Sequence, residues 1–195
     1  MKDYEALSRR HFDAQAPAYD ERDTLYYSKA GKISCRDIAA QLAGVSYRTL
    51  LDVGCGTGFL LDLLARARPA EYWGLDLSAE MIREAERKGI AGARYVVGSS
   101  AKLPWTDAAF DIVTCSQSFH HYPYPEKAMA EAWRVLKPGG LYILSDTGIG
   151  GIGGWIDNHL LFPLMKSGDC HTTNRKGIAR RMESAGFAVV ESRQV

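Results

Sequence analysis

From about residue 49 onward, short apolar runs alternate with segments whose apolar residues recur every third or fourth position. The runs predict six strands, at Thr49–Val53, Tyr72–Leu75, Ala93–Val97, Phe110–Cys115, Leu141–Leu144 and Ala188–Val190. The periodic segments predict four helices, at Phe59–Ala67, Ala79–Lys88, Pro125–Leu136 and Arg175–Ala185. Because strands that alternate with helices build a sheet covered on both faces, we expect an α/β fold with a doubly wound, mostly parallel sheet in three layers.

Two segments outside this alternation are predicted to cover a ligand site. Residues 1–48 read as helical, and residues 147–171 are rich in glycine. Their aromatic and apolar side chains favour an apolar or aromatic ligand: Tyr26, Tyr27, Trp155, Phe162 and Met165. We expect a single domain over residues 1–195, in which 1–48 and 147–171 cover a cofactor-binding core at 49–146, and 172–195 form the last helix and strand.

The composition of the chain argues against several classes of partner. With 24 Lys+Arg against 23 Asp+Glu, the net charge of +1 predicts no nucleic-acid partner. The four cysteines are scattered, without a CxxC pair or a histidine at zinc-ligand spacing, so we expect free thiols, a cytoplasmic location and no metal site. No apolar run reaches the roughly 18 residues of a membrane helix, so no integral membrane segment is expected.

The most informative stretch is Leu50–Gly58, in which an apolar run ends in Asp52 and is followed by three glycines at alternate positions. A turn without side chains lets a ligand lie against the backbone. The next predicted strand ends in Asp76, where a carboxylate reaches a ribose in nucleotide-binding sheets. A nicotinamide loop reads GxGxxG, whereas Phe59 stands at the third glycine here, so this cofactor is disfavoured.

The chain resembles the class I S-adenosylmethionine-dependent methyltransferases, in particular the small-molecule group that includes quinone-biosynthesis enzymes. Besides the glycine loop, the resemblance rests on segments that follow in order along the chain: His11–Asp13 through Tyr19–Asp20, Gly74–Ser78 with Met81, Leu103–Trp105, Phe110–Val113, Ser118–Tyr122 and Glu131–Gly140. The resemblance implies a Rossmann-like sheet of class I topology, S-adenosyl-L-methionine as methyl donor and S-adenosyl-L-homocysteine as product.

The resemblance also assigns roles at the cofactor. The backbone of Gly54, Gly56 and Gly58 would pass beneath its methionine part, with Cys55 as a small buried side chain between them. Asp52 would orient its ammonium group, and Asp76 would accept hydrogen bonds from the ribose hydroxyls. Other residues would line the adenine or the methionine: Leu77, Met81, Ser99, Ser100, Ser116 and Gln117. The alternatives are structural, with Asp52 as a turn cap and Met81 as helix core.

One position departs from the family. Many relatives place an acid after the third strand to accept the adenine amino group, whereas this chain has Gly98-Ser99-Ser100-Ala101. We expect a neutral hydroxyl to bind adenine less strongly than a carboxylate, by about 1 kcal/mol.

Catalysis is predicted to depend mainly on positioning, because the sulfonium already activates the methyl group for in-line displacement. Three residues are candidates for a base or a substrate contact: Tyr19, His120 and His121. Their alternative roles are packing for Tyr19 and, for the two histidines, one hydrogen-bonded to the fold and the other partly exposed. The acceptor is expected to be a small molecule; the competing hypotheses are cofactor binding without turnover and a nicotinamide-dependent oxidoreductase.

The end of the chain adds a further expectation. Relatives finish the sheet with a hairpin whose last strand runs antiparallel between the fifth and the sixth strands, whereas this sequence ends at Val195. If that strand is missing, an exposed sheet edge favours a homodimer.

Overall fold

A parallel sheet of five strands forms the centre of the molecule. The computed structural model describes residues 2–21 and 26–193, with the backbone alone for 26–28. The strands are β1 (Thr49–Val53), β2 (Glu71–Asp76), β3 (Ala93–Val97), β4 (Phe110–Ser116) and β5 (Leu136–Ser145). Their spatial order is β3-β2-β1-β4-β5, and every pairing is parallel. The predicted α/β class and five of the predicted strands are confirmed.

Seven α-helices connect and cover the strands in the described part of the chain: α1 (Tyr4–Gln15), α2 (Tyr26–Leu42), α3 (Phe59–Ala67), α4 (Ala79–Arg87), α5 (Pro125–Val135), α6 (Gly151–Ile156) and α7 (Arg175–Ser184). The four predicted helices form within one residue of their predicted ends. Local signals explain this agreement; for example, the side chain of Ser78 caps α4 by accepting the N–H of Met81.

Two apolar clusters lie on opposite faces of the sheet. Successive strand residues point to opposite sides, so Leu51 packs in the cluster that includes α5, and Leu50 packs in the cluster that includes α2 and α3. Both leucines are fully buried. This double burial holds the carboxyl ends of β1, β2 and β4 at one edge of the sheet.

The predicted sixth strand does not form, which corrects the sequence reading. Residues 188–193 have no regular structure, and Val190 is 84% exposed. Phe187 packs against Trp133 and Tyr142, but the described chain then provides no neighbouring strand. Within the described residues, the backbone groups at 188–190 therefore have no ladder to join. A homodimer stays a prediction.

The segment 147–171 is the second predicted cover, a role that stays a prediction. It forms α6 and a π turn at Asp157–Leu161, and several of its large apolar side chains are exposed, including Ile152 at 81% and Leu164 at 82%. Among the described residues, none of this segment lines the main cleft. The side chains of Tyr26 and Tyr27 lie outside the described residues. No helix in the described part of the chain is both long and apolar enough to cross a membrane.

Candidate cofactor site

A cleft opens at the carboxyl ends of β1, β2 and β4, between the sheet and the N-terminal helices. Its empty volume, including the part open to solvent, is about 1150 Å³. Apart from Gln117, eleven residues are predicted to bind the cofactor, and ten of them line the cleft: Asp52, Gly54, Cys55, Gly56, Asp76, Leu77, Met81, Ser99, Ser100 and Ser116. Tyr19, Gln117 and His121 also line it. The structure therefore brings together residues that are up to about a hundred positions apart in the sequence.

The glycine loop leaves the sheet in a left-handed conformation. Gly54 has φ +76°, and its N–H donates to the carbonyl of Leu75 at 2.7 Å. A Cβ on Gly54 would lie 2.5 Å from the Cβ of Ser118 and would overlap with the hydroxyl oxygen of Ser118. A side chain is therefore excluded at this position by both the backbone and the neighbouring loop.

Gly58 is the predicted residue that does not line the cleft. It has φ +77° at the N-cap of α3, and a Cβ there would lie 3.1 Å from the Tyr95 hydroxyl and 3.3 Å from the Cβ of Ala85. In this structure Gly58 therefore allows the loop to pack against α4 and β3.

Asp76 organises the loop from the next strand. One of its carboxylate oxygens accepts the N–H of Gly56 at 2.8 Å, and the other accepts the N–H of Ser78 at 2.9 Å. Burial raises the pKa of Asp76 above its ordinary value, while these two N–H donors lower it. Each oxygen keeps a free lone pair, so the carboxylate could also accept hydrogen bonds from a ligand in the cleft.

Asp52 is a second, more deeply buried carboxylate in the cleft wall. It is 2% exposed, and one of its oxygens accepts the hydroxyl of Thr114 at 2.8 Å. Burial raises the pKa of Asp52 to about 7; the hydrogen bond from Thr114 lowers it, and the nearby charge of Asp76 raises it further. A cationic group in the cleft would favour the ionised form.

The N-terminal helices are fastened over the cleft by polar contacts. Four of these contacts join a cover residue to the sheet edge or its loops: Asp13 to Ser78 at 2.6 Å, Asp20 to Thr57 at 2.7 Å, Ser34 to Ser116 at 2.7 Å and Glu5 to Ser99 at 2.6 Å. These contacts place the N-terminal segment against the cleft, and its role as a cover stays a prediction. Sequence reasoning assigned no role to Glu5, because no motif at the start of the chain marks it.

Beyond β4, the backbone holds Gln117 in an unusual conformation. Its φ is +52°, which residues other than glycine rarely adopt, and its N–H donates to the carbonyl of Ser145 at 2.8 Å. Such geometry persists where surrounding contacts enforce it, and it is common at functional sites. Gln117 and its neighbour Ser116 both line the cleft, as the sequence predicts.

The three predicted candidates for a base or substrate contact differ in their surroundings. Burial, followed by the charge of Asp76, raises the pKa of Tyr19 to about 12, which keeps the phenol protonated. His121 lines the cleft, and burial, followed by its neighbour His120, lowers its pKa. His120 lies behind it, outside the cleft lining.

His120 is paired with an acid at the end of β5. Its Nδ1 lies 2.6 Å from Asp146, whose other oxygen accepts the backbone N–H of His120 at 2.7 Å. Burial opposes the charged imidazolium, but the charge and hydrogen bond of Asp146 together with the charge of Asp169 outweigh it, so the pKa of His120 is raised. His120 is therefore oriented by Asp146, whereas His121 presents a neutral ring to the cleft.

Comparisons of sequence and of structure both find similarity to methyltransferases. Residues 51–144 match the family described as a methyltransferase domain. The chain is 37% identical over 139 residues to a demethylmenaquinone methyltransferase of Deinococcus radiodurans, covering 68% of this chain and 57% of that protein. It is 43% identical over 110 residues to a fatty-acid O-methyltransferase of Mycolicibacterium smegmatis, covering 55% and 40% respectively.

The fold agrees with these matches. A crystal structure of an S-adenosylmethionine-dependent methyltransferase from Aquifex aeolicus superposes with a TM-score of 0.68 at 20% identity, covering 92% of this chain and 90% of that one. The chain spans about half the length of the curated relatives it matches. The matched segment contains the glycine loop, Asp76 and the strands that hold them. Over residues 51–144 the chain is therefore similar to the methyltransferase-domain family, and it shares the fold of the S-adenosylmethionine-dependent methyltransferase structure.

Proposed function

We propose that this protein transfers a methyl group from S-adenosyl-L-methionine to a small apolar or aromatic molecule. The observation that supports this most directly is the pair of Asp76 and the glycine loop at one end of the cleft. Both carboxylate oxygens of Asp76 are aligned by backbone N–H groups and keep lone pairs for a ribose. Asp52 lies on the neighbouring strand, in register with Gly74 of β2, and would face the cofactor's ammonium.

The protein's part in the reaction is mainly to orient and to exclude water. The cofactor supplies an electrophilic methyl group, and displacement requires the acceptor atom in line with the breaking sulfur–carbon bond. Closure of α1 and α2 over the cleft would remove water from this line. His121 is the imidazole nearest to an acceptor in the cleft; its neutral form would accept a proton if the acceptor carries one.

The nature of the acceptor is inferred from relatives and from the cleft. The two curated relatives are named for a demethylmenaquinone and a fatty acid, both of them apolar molecules. The cleft wall includes Phe12, Phe59 and Leu60 in addition to its polar groups. These features support an apolar acceptor, and we propose quinols, phenols and carboxylic acids as the first classes to test.

Two measurements test this function. First, thermal unfolding is followed with S-adenosylmethionine or with a nicotinamide nucleotide; we expect only the former to raise Tm. Second, cofactor carrying a labelled methyl group is incubated with pooled phenols, quinols, amines and carboxylic acids. Labelled product supports the proposal. A rise in Tm without any labelled product favours cofactor binding without turnover, and a rise with the nicotinamide nucleotide alone favours an oxidoreductase.

We predict that cofactor affinity increases as pH rises through about 7. The pKa of Asp52 is raised to about 7 by burial, and only its ionised form attracts the ammonium group. In Asp52→Asn, affinity should be lower at pH 8 and nearly independent of pH between 6 and 8. Calorimetric titration at several pH values measures this; Asp107→Asn, at an exposed surface ion pair, is the control.

The same carboxyl should lower the stability of the ligand-free protein at higher pH. Its folded pKa lies above the unfolded value of about 4, so the folded state holds the proton longer, and the free energy of unfolding falls as pH rises from about 4 to about 7. Asp52→Asn should remove this fall and be more stable above pH 7 by roughly 2–4 kcal/mol. Equal pH profiles for the two proteins in urea unfolding would contradict this assignment.

We also predict that Glu5→Gln weakens cofactor binding by about five- to tenfold, close to 1 kcal/mol. Glu5 lines the cleft and accepts the hydroxyl of Ser99 at 2.6 Å, at the position where many relatives place an acid. Its carboxylate would therefore restore a charged acceptor near the adenine. Calorimetry measures the effect, with the exposed helical variant Glu86→Gln as matched control. An unchanged affinity in Glu5→Gln would leave adenine recognition to Ser99 and the backbone.

A further inference from the structure

Two adjacent histidines meet, beside the cleft, an aspartate that is distant from them in the sequence. His120 and His121 lie in the turn after β4, and Asp169 lies in the loop after the π turn. One potential ligand atom from each residue falls within 4.8 Å of the other two. The three side chains are 12–17% exposed, so a ligand held between them would be largely screened from solvent.

The protein contacts within this group leave its polar atoms incompletely bonded. His120 Nε2 lies 3.6 Å and His121 Nδ1 lies 3.9 Å from the same oxygen of Asp169, both longer than a hydrogen bond. Within residues 2–21 and 26–193, the buried His121 Nδ1 has no hydrogen-bond partner. A buried polar atom without a partner can bind a ligand without breaking a hydrogen bond of the fold.

The surrounding contacts orient the three residues toward one point. Asp146 binds Nδ1 of His120 at 2.6 Å, which directs Nε2 toward Asp169. The ring of Phe12 packs edge-on against His121, with ring centroids 5.0 Å apart. Asp169 in turn accepts the hydroxyl of Ser167 through its other oxygen. A carboxylate behind a ligating histidine is the usual second layer of protein metal sites.

We propose that His120, His121 and Asp169 form a site for a divalent transition-metal ion such as Zn²⁺. Two imidazoles and one carboxylate are a common ligand set for catalytic zinc, and they leave one position open. Ligand atoms about 2.0–2.2 Å from zinc would be roughly 3.3 Å apart in a tetrahedral site. The two observed separations from Asp169, 3.6 and 3.9 Å, require only a small contraction.

The position of the site suggests what the ion would do. His121 lines the cleft while His120 and Asp169 lie beside it, so an ion held between them would lie at the edge of the space available to an acceptor. An ion there would bind an acceptor oxygen and favour its deprotonated form by Lewis-acid polarisation, with the proton released to water. This role rests on the proposed methyl transfer, whereas binding of the ion does not. It would further favour acceptors that carry a hydroxyl or carboxyl group.

The test is a calorimetric titration of the metal-free full chain with Zn²⁺, in the absence of S-adenosylmethionine. We expect one ion per chain, and about tenfold or greater weakening in His120→Gln and Asp169→Asn. Asp146→Asn should weaken binding by about tenfold through the orientation of His120. His159→Gln is the matched control, since this exposed histidine contacts Trp155 of α6 and lies outside the proposed ligand set. Co²⁺ absorption bands that are lost in the same variants provide a second readout.

Other outcomes would overturn the proposal. Unchanged Zn²⁺ affinity in His120→Gln and Asp169→Asn would show that the ion binds elsewhere. So would loss of binding in Cys170→Ser alone, because this neighbouring thiol contacts the carbonyl of His120 but is outside the proposed ligand set. The Tm increase produced by S-adenosylmethionine in each variant confirms an intact fold. Cofactor binding and methyl transfer without Zn²⁺ binding would refute the metal site alone. Zn²⁺ binding without cofactor binding or methyl transfer would refute the proposed function alone.

Discussion

Replacing Asp76 with asparagine is expected to weaken S-adenosylmethionine binding by about 100-fold, or 2–3 kcal/mol. Both carboxylate oxygens of Asp76 accept backbone N–H groups, from Gly56 at 2.8 Å and from Ser78 at 2.9 Å. An asparagine has only one oxygen, so either rotamer turns an NH₂ donor toward an N–H donor. The variant therefore loses the charged acceptor for the ribose and also disturbs the loop beneath the methionine.

Isothermal titration of Asp76→Asn with S-adenosylmethionine and S-adenosylhomocysteine measures this effect. The two ligands share the ribose, so both should lose affinity by a similar factor. Asp107→Asn, which changes an exposed carboxylate in the same way, should bind like the wild type. An affinity within twofold of wild type for Asp76→Asn would mean that the ribose is bound elsewhere, and the proposed cofactor orientation would have to be abandoned.

Replacing Gly54 with alanine is expected to abolish cofactor binding and to destabilise the protein by about 3 kcal/mol or more. Gly54 has φ +76°, and the added Cβ would lie 2.5 Å from the Cβ of Ser118 and 2.9 Å from the hydroxyl of Tyr122. Tyr122 is fixed in turn, since its hydroxyl donates to the carbonyl of Val53 at 3.0 Å. The clash therefore cannot be relieved by rotation of one flexible side chain.

Three further variants, compared by urea unfolding, separate the steric clash at Gly54 from the cost of a positive φ. Gly44→Ala, with open space and no positive φ, should leave stability nearly unchanged. Gly56→Ala has open space but φ +51°, so it should lose only the backbone contribution, about 1 kcal/mol. Adding Ser118→Gly to Gly54→Ala removes the overlapping side chain and should restore part of the lost stability. Equal unfolding of Gly54→Ala and Gly44→Ala would contradict the geometry of the loop.

Measurements of kcat also distinguish two proposed roles of His121, as a general base and as a metal ligand. If His121 acts as a base without a metal ion, His121→Gln should reduce kcat while Asp169→Asn has little effect. If the ion activates the acceptor, His121→Gln, Asp169→Asn and His120→Gln should all lower kcat. After a chelator has removed the metal ion from the wild-type protein, added Zn²⁺ should restore its kcat. Unchanged turnover at saturating acceptor across pH in all three variants would leave positioning as the main source of catalysis.

The site was predictable where its residues belong to local motifs. The Leu50–Gly58 stretch and the acid at the end of the next strand are sequence signals, because each ends a strand and the carboxyl ends of parallel strands share one edge. Glu5 and Asp169 carry no such signal. Each reaches the site only because a helix or loop folds back over the sheet edge, to contact Ser99 in one case and to approach the histidines in the other.

At residues 188–190, the local sequence predicts a strand that does not form. Apolar residues at Ala188–Val190 have the local character of a strand, yet a strand also needs a partner for its backbone groups. Periodicity and turn residues act over a few positions, so the sequence is sufficient to predict the layers, five of the strands, the helices between them and the glycine loop. Which polar groups meet at the cleft, and whether the last segment pairs with a strand, depends on contacts between residues far apart in the sequence, which local preference cannot predict.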